Sequence, residues 1–284
     1  MAFWWTYSGL KFGIKSVKFP KENDFYDGFI SSIKINGQKC LNQGKTTGLS
    51  GKSSGLRCRK CELACPTKAI NLNNLADGEN GKGGQALKAI DANRCIFCGL
   101  CIDACSDIAG AINYSNDFDF DIVPPPCAGK IKAFKKSLFV KHIDTGSCGA
   151  CESEINALNN PYYNMHRLGI FITPSPRFAD VLLVTGTFTK KMSDIFFNVL
   201  DNIPKPRYVV LTGSCSLTGG VFERSEADED GFNAGLLNST ETKEGTDFNL
   251  SPLLNENVIA LPHCPPNPFE ILNVLLLIKK GDFK

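Results

Sequence analysis

The chain holds 284 residues, 43% of them hydrophobic, with 31 Lys and Arg against 29 Asp and Glu and a formal net charge of +2. That length suggests about two domains, and a charge so near zero gives no electrostatic reason to expect nucleic acid as a partner. The longest apolar stretch, residues 271–278, is interrupted by Asn273 and falls far short of the ~20 residues of a membrane span.

Residues 1–36 read as an N-terminal extension. Within residues 1–21, Trp4, Trp5 and four lysines occur without an apolar core leading to a small-residue cleavage site, and without a twin-arginine pattern. No export signal is therefore expected. Phe3, Trp4 and Trp5 with Lys11, Lys15 and Lys18 suit either a membrane surface or an arm packed on a partner protein. Thirteen cysteines in a chain without a secretory leader point to metal-loading thiols in a reducing cytosol rather than to disulfides.

Twelve of those cysteines fall into three sets of four, and Cys127 is left over as a spare thiol. Residues 37–115 carry two tandem sets and read as an α+β, two-cluster domain of bacterial-ferredoxin type. Its second run, Cys95-x2-Cys98-x2-Cys101-x3-Cys105, matches the spacing used for [4Fe–4S] ligation, except that Ser106 stands where proline usually follows. Such short spacing lets one tight turn aim several thiolates and backbone amides at one cluster. In two-cluster ferredoxins the fourth cysteine of each run ligates the other cluster. That rule groups Cys65 with Cys95, Cys98 and Cys101, and Cys105 with Cys58 and Cys61. Zinc also favours paired Cys-x2-Cys units, but two overlapping units with a fourth cysteine four residues on suit iron–sulfur better.

The first run, ending Cys58-x2-Cys61-x3-Cys65-Pro66, lacks its leading cysteine, because Gly55 stands at that position. Upstream comes Cys40, then a polar loop over residues 41–56. We read the loop as an insertion that displaced the first ligand and left Cys40 to reach the cluster. The other reading leaves Cys40 free and that cluster three-iron or absent. Gly44-Lys45-Thr46 and Gly51-Lys52-Ser53 evoke a phosphate-binding loop, but the pattern needs glycine where Lys39 and Thr46 stand. Nucleotide binding is not expected.

Residues 116–133 read as a stiff linker, with Asp117, Asp119 and Asp121 ahead of Pro124, Pro125 and Pro126. From 134 to 284 short runs rich in Val, Ile and Leu predict strands at 137–143, 180–185, 207–212 and 257–261. Apolar residues at 192, 195, 196, 199, 200 and 203 share one helical face, and Pro204 stops that helix. A last helix is capped by Asn267, entered at Pro268, closed back by Glu270 and ended by Lys279, Lys280 and Gly281. Strand–helix alternation predicts a flavodoxin-like α/β domain with a parallel sheet. Cys148 and Cys151 follow the first of these strands, Cys215 the third and Cys264 the fourth. Ligands of open parallel sheets bind beyond the carboxyl ends of the strands, so this third set is expected to converge at one edge. Residues 222–256 read as an insertion. Eight acidic residues against Arg224 and Lys243 between 221 and 250 suit a solvated loop or a docking segment.

The residues of this half carry a specific resemblance. Asp144-Thr-Gly-Ser-Cys148-Gly-Ala-Cys151-Glu152-Ser-Glu154-Ile, Asn160-Pro-Tyr-Tyr with His166-Arg-Leu-Gly-Ile-Phe, and Thr173-Pro-Ser-Pro-Arg-Phe-Ala-Asp180 resemble the small subunit of membrane-bound, energy-converting [NiFe] hydrogenases. Val210-Leu-Thr-Gly-Ser-Cys215 and Pro262-His-Cys264-Pro-Pro continue it through residues 134–284, apart from the acidic insertion. The cluster subunit beside the quinone site of respiratory complex I is similar, but carries adjacent cysteines where this chain has Cys148-x2-Cys151. Arg94-Cys-Ile-Phe-Cys-Gly-Leu-Cys101 resembles the two-cluster ferredoxin subunit of the same complexes, here fused to the other half.

The resemblance implies an oxidoreductase subunit with three [4Fe–4S] clusters. Cys148, Cys151, Cys215 and Cys264 would hold the one nearest a nickel–iron centre on a separate hydrogenase large subunit. Electrons would enter at the tandem clusters from a donor such as a ferredoxin or a formate-oxidising subunit, and would reduce protons on the partner, or run in reverse. Membrane subunits are expected partners, with the chain peripheral on the cytoplasmic face. A complex I-like subunit serving quinone is the alternative, and a zinc-stabilised scaffold a third reading. Glu152 and Glu154 are candidate proton-relay carboxylates or plain helix-start carboxylates. His142, His166 and His263 are too scattered for a triad, and His263 either donates a hydrogen bond to the cluster or packs.

Overall fold

The structure, a computed structural model, describes residues 2–13, 18–21, 30–37, 39–40, 58–75, 89–115, 136–222 and 256–281. The polar loop at 41–56, the linker at 116–133 with Cys127, and the insertion between 222 and 256 lie outside the described residues.

The first half is built from short pieces around thiols. Helix α1 spans Ala2–Phe12. Strand β1 (Ser32–Ile35) pairs antiparallel with β2 (Ile112–Ser115), setting Ile33 opposite Tyr114. Between them lie α2 (Lys60–Ala64) and α3 (Leu100–Ser106), and an isolated bridge joins Ile70 to Ile90. Helix α2 carries Cys61 of the first run and α3 carries Cys101 and Cys105 of the second, and the buried thiols help to fill the core. Cys61, Cys95 and Cys101 pack with Ile33, Ile70, Leu72 and Ile112. A core this small is completed by its sulfur.

The second half is a five-stranded parallel sheet. Its strands are β3 (Leu138–Asp144), β4 (Ile170–Ile172), β5 (Val181–Thr185), β6 (Tyr208–Thr212) and β7 (Asn257–Leu261), in the order β4-β3-β5-β6-β7. Counted from β3 this is the 2-1-3-4-5 order of flavodoxin-like sheets. The intervening helices are α4 (Ala150–Ala157), α5 (Ser193–Asp201), α6 (Ser214–Thr218) and, last, α7 (Pro268–Lys280). β5 and β6 are buried at every residue, which is why they read as unbroken apolar runs. Successive side chains still alternate between faces. Val181 and Leu183 join Val210, Ile259 and α7 on one side, whereas Leu182 and Val184 meet Phe196, Leu200 and Leu211 of the other.

Two readings of the sequence change in detail. The edge strand β4 has only three residues and carries no period long enough to notice. The helix expected over 192–203 divides into a 3-10 turn, Lys190–Met192, and α5. The last helix has its full capping box, with Asn267 accepting from the Phe269 amide at 2.9 Å and Glu270 from the Asn267 amide at 2.8 Å, and Gly281 closes it at φ 65°.

One buried ion pair ties the starts of β6 and β7. Arg207 and Glu256 are 7% and 6% exposed. The guanidinium meets the carboxylate at 3.1 and 2.7 Å, and also donates to the carbonyl oxygens of Leu200 and Ile203. Burial alone would raise the Glu256 pKa, but the hydrogen bond and charge of Arg207, aided by Lys205, hold it below the usual carboxylate range. Glu256→Gln strands a buried cation, so denaturant unfolding is expected to show a loss of about 3–5 kcal/mol. Because the folded pKa is depressed, the pair's contribution is complete above the ordinary carboxylate range and is lost as pH falls through the lowered value. The stability gap between wild type and Glu256→Gln should therefore close in acid.

Candidate metal centres

The third cysteine set sits at the carboxyl edge of the sheet. After β3 the chain turns through Gly146, whose amide donates to Asp144 Oδ1 at 2.8 Å, and Thr145 Oγ1 donates to the Thr185 carbonyl of β5 at 2.8 Å. Gly149 then adopts φ 88° and opens α4, which leaves Cys148 exposed on the turn and Cys151 buried in the first helical turn. Gly213 does the same for α6 at φ 89°, placing Cys215 in that helix's first turn. The Gly213 amide donates to Leu261 O at 2.8 Å and the Ser214 amide to His263 O at 3.0 Å, which draws the end of β7 and Cys264 alongside. A methyl group at Gly213 would lie 2.7 Å from Cys151 Sγ, and one at Gly220 3.1 Å from Cys215 Sγ. Only glycine leaves that space to sulfur.

The four sulfurs feel one another. Burial first, then the charges of Cys264, Glu152 and Cys148, push the Cys151 thiol up to about 12. The interaction of Cys215 with Cys264 pushes the Cys215 thiol up and draws that of Cys264 down to about 7. The more exposed sulfur of the pair thus carries the charge.

The tandem sets form two further groups. Cys65, Cys95, Cys98 and Cys101 face one cavity, walled by Ile33, Ile70 and Ile90. Cys40, Cys58, Cys61 and Cys105 face a second, walled by Ile35, Ile108 and Ile112. Burial is the main reason that Cys61, Cys95 and Cys101 each rise to about 11; the neighbouring thiolates of each set add to it. Backbone amides already point at two sulfurs. Ala69 N donates to Cys65 Sγ at 3.2 Å and Ala111 N to Cys105 Sγ at 3.4 Å, the kind of bond that tunes a cluster's potential.

All twelve cysteines among the described residues are free of disulfides. Among those residues no three His, Cys, Asp or Glu side chains close on a single metal ion. A [4Fe–4S] cage asks for something different, one thiolate per iron, with four sulfurs spread around an apolar cavity. Crowded thiols that resist ionisation together are stabilised by a cationic core that takes the place of their protons. The donor sets therefore fit such a group.

The remaining candidates are placed as follows. Glu152 reaches β5, where its Oε1 accepts from Thr185 Oγ1 and lies 3.7 Å from His142 Nε2, while Oε2 is buried with no hydrogen-bond partner among the described residues. Burial opposes its charge, but the bonds from Thr185 and Ser147, a backbone amide and the nearby imidazole together hold its pKa below the usual value. Glu154 is pushed up by burial. His142 is pushed down by burial and shares 2.9 Å with Thr185 Oγ1. His166 packs on Phe171 at 5.3 Å between ring centroids. His263, at φ 84°, spends Nδ1 on buried Glu270 at 2.9 Å and packs against Phe97 at 4.7 Å. Thr185, Ser214 and Phe97 were not read as site residues, since Phe97 and Ser214 stand at non-ligand positions of the cysteine motifs and Thr185 ends an apolar strand.

Two family models match the chain. The one described as NADH ubiquinone oxidoreductase, 20 Kd subunit, covers residues 148–278, and the 4Fe-4S dicluster domain covers residues 56–109. An uncharacterised protein of Methanocaldococcus jannaschii is 33% identical over 141 residues, 49% of this chain and 85% of the relative. A "probable membrane-bound hydrogenase subunit" of Pyrococcus furiosus is 33% identical over 150 residues, 52% of this chain and 78% of the relative. Formate hydrogenlyase subunit 7 of Escherichia coli is 38% identical over 95 residues, 34% of this chain and 37% of the relative.

The Cys215–Cys264 pair gives a direct test in protein purified without iron. Iodoacetamide labelling at Cys264 should rise with a midpoint near its pKa of about 7, whereas Cys151, at about 12, should lag throughout the neutral range. Peptide mass spectrometry across a pH series reads both.

Proposed function

The chain belongs to the NADH ubiquinone oxidoreductase 20 kDa subunit family, and from that premise we propose that it is the iron–sulfur electron-transfer subunit of a membrane-bound hydrogenase complex. The observation that carries this reading is the meeting of Cys148, Cys151, Cys215 and Cys264 at one sheet edge, directly beside the Cys95 loop of the tandem set. A [4Fe–4S] group, when bound, stores and releases single electrons.

Cys148, Cys151, Cys215 and Cys264 hold the exit site, Cys65, Cys95, Cys98 and Cys101 the middle site, and Cys40, Cys58, Cys61 and Cys105 the entry site. The chain's own task is positional. Thiolates fix three sites in sequence, apolar walls keep water away, and the Ala69 and Ala111 amides hydrogen-bond sulfur. Cys148 is exposed, so the edge it occupies is the face offered to a nickel–iron large subunit, where protons are reduced or hydrogen oxidised. Glu152 is held ionised by Thr185 and serves as a fixed charge beside Cys151; Glu154, which burial holds nearer to protonation, is the better relay candidate.

Membrane subunits of the complex and a one-electron donor, a ferredoxin or a formate-oxidising subunit, complete the assembly on the cytoplasmic face. No helix among the described residues is long and apolar enough to cross a membrane, in keeping with a peripheral place. The spacing Cys148-x2-Cys151 favours this branch over delivery to quinone.

The reconstituted chain should bind about twelve irons and as many acid-labile sulfides, at about four per site. A content near eight would remove one site from the proposal, and zinc without sulfide would end it. Gly213→Ala must place a methyl against Cys151 Sγ at φ 89°. It should lose about four irons while the far-ultraviolet dichroism of the sheet is retained. In the purified complex, hydrogen evolution from a reduced viologen is the expected activity; quinone reduction in its place would favour the alternative.

A further inference from the structure

Three contacts join the loop of the middle site to the edge of the exit site, and none belongs to a ligand pattern. Ser214 Oγ, fully buried, donates to the Cys95 carbonyl at 3.0 Å. Thr218 Oγ1, one helical turn later on α6, reaches the Asn93 carbonyl at 3.4 Å. Phe97 packs against His263 at a 36° tilt with ring centroids 4.7 Å apart, and His263 is held by Glu270 at 2.9 Å. Ser214 immediately precedes Cys215, and Cys95 is itself a ligand position. A single hydrogen bond therefore closes an otherwise covalent path from one proposed ligand sulfur to another. It runs from the Cys95 side chain through its backbone carbonyl to the Ser214 hydroxyl, and along one peptide unit to Cys215.

We propose that Ser214 is a positioning residue for electron transfer, its hydroxyl bridging the middle and exit sites through the Cys95 carbonyl. The inference rests on the function proposed above and adds a route to it. In each passage the site of Cys65, Cys95, Cys98 and Cys101 is oxidised by one electron, and that of Cys148, Cys151, Cys215 and Cys264 is reduced by one, with no proton transferred. Electronic coupling falls off less steeply through bonds than across a gap, so a hydrogen bond from Cys95 to the residue preceding Cys215 speeds the transfer. The bond also gives the Cys95 carbonyl a buried hydroxyl partner, and so holds the loop in place. Thr218 and Phe97 keep the two surfaces together; the Thr218 hydroxyl lies 3.1 Å from the Ser214 carbonyl as well as 3.4 Å from that of Asn93, and neither bond reaches a ligand cysteine.

The test uses the full chain loaded with iron and sulfide, as wild type, Ser214→Ala and Thr218→Val. Methyl viologen radical, generated by a pulse, gives up one electron and becomes the dication. Freeze-quenched paramagnetic resonance then follows the electron from the tandem sites to the exit site. Ser214→Ala should slow that last step several-fold at full iron content and unchanged resting spectra, and Thr218→Val should slow it much less. Amide hydrogen exchange at residues 93–98 should quicken in Ser214→Ala, a change that does not depend on turnover. Equal rates in wild type and Ser214→Ala would overturn the route, as would equal slowing by both substitutions, which would mean general loosening. A shortfall of iron in the wild type would instead count against the proposed function itself.

Discussion

Crowded sulfur is the constraint on which the rest of this molecule depends. Three groups of four thiols gather with part of each group buried, and burial with mutual repulsion drives several of them to about 11 or 12. Such a set cannot ionise together in the bare protein. It either keeps its protons or binds something cationic, and the preference for a cationic core follows from the same electrostatics that penalise four bare thiolates. In the first half this chemistry also serves the fold. Cys61, Cys95 and Cys101 occupy core positions among Ile33, Ala69, Ile70, Leu72 and Ile112, so site and core are one object.

The second half solves a different problem, bringing sulfurs from distant stretches of chain to one place. Parallel strands do this by their direction, since every carboxyl end lies on the same edge. Cysteines placed just after β3, β6 and β7 then meet although only Cys148 and Cys151 are close in sequence. Two details finish the site. Gly149 and Gly213 take left-handed φ values where helices begin, and the missing Cβ at Gly213 leaves room for Cys151 Sγ.

These two solutions explain what could be seen in the sequence. The convergence of the third set was legible because strand order and cysteine position are both one-dimensional facts. The parallel sheet was legible from β5 and β6, whose full burial writes an unbroken apolar run. β4 was not, because three residues carry no period. Three of the four expected strands begin one residue later than read, and two of the displaced residues have other work. Asp180 accepts from the Phe139 amide at 2.8 Å, and Arg207 is committed to Glu256. Glu270 was readable as a cap residue, but its second bond, to His263, depends on where β7 ends. The Ser214–Cys95 contact was invisible for a deeper reason. It depends on how two separately encoded halves dock, and no spacing within either half records that.

The placement of the buried ion pair completes the logic. Arg207 stands at the start of β6 and Glu256 at the start of β7, whereas Cys215 and Cys264 follow the ends of those strands. Five residues at about 3.3 Å each put roughly 16 Å between a buried guanidinium and the thiol edge. A cation nearer the sulfurs would favour thiolate and shift any potential set there. Two neighbouring strands are thus pinned by charge at one end and free to present sulfur at the other. The Arg207–Glu256 pair lies at the edge of the sheet opposite the thiols, whose own ionisable neighbours are Glu152 and the His263–Glu270 pair.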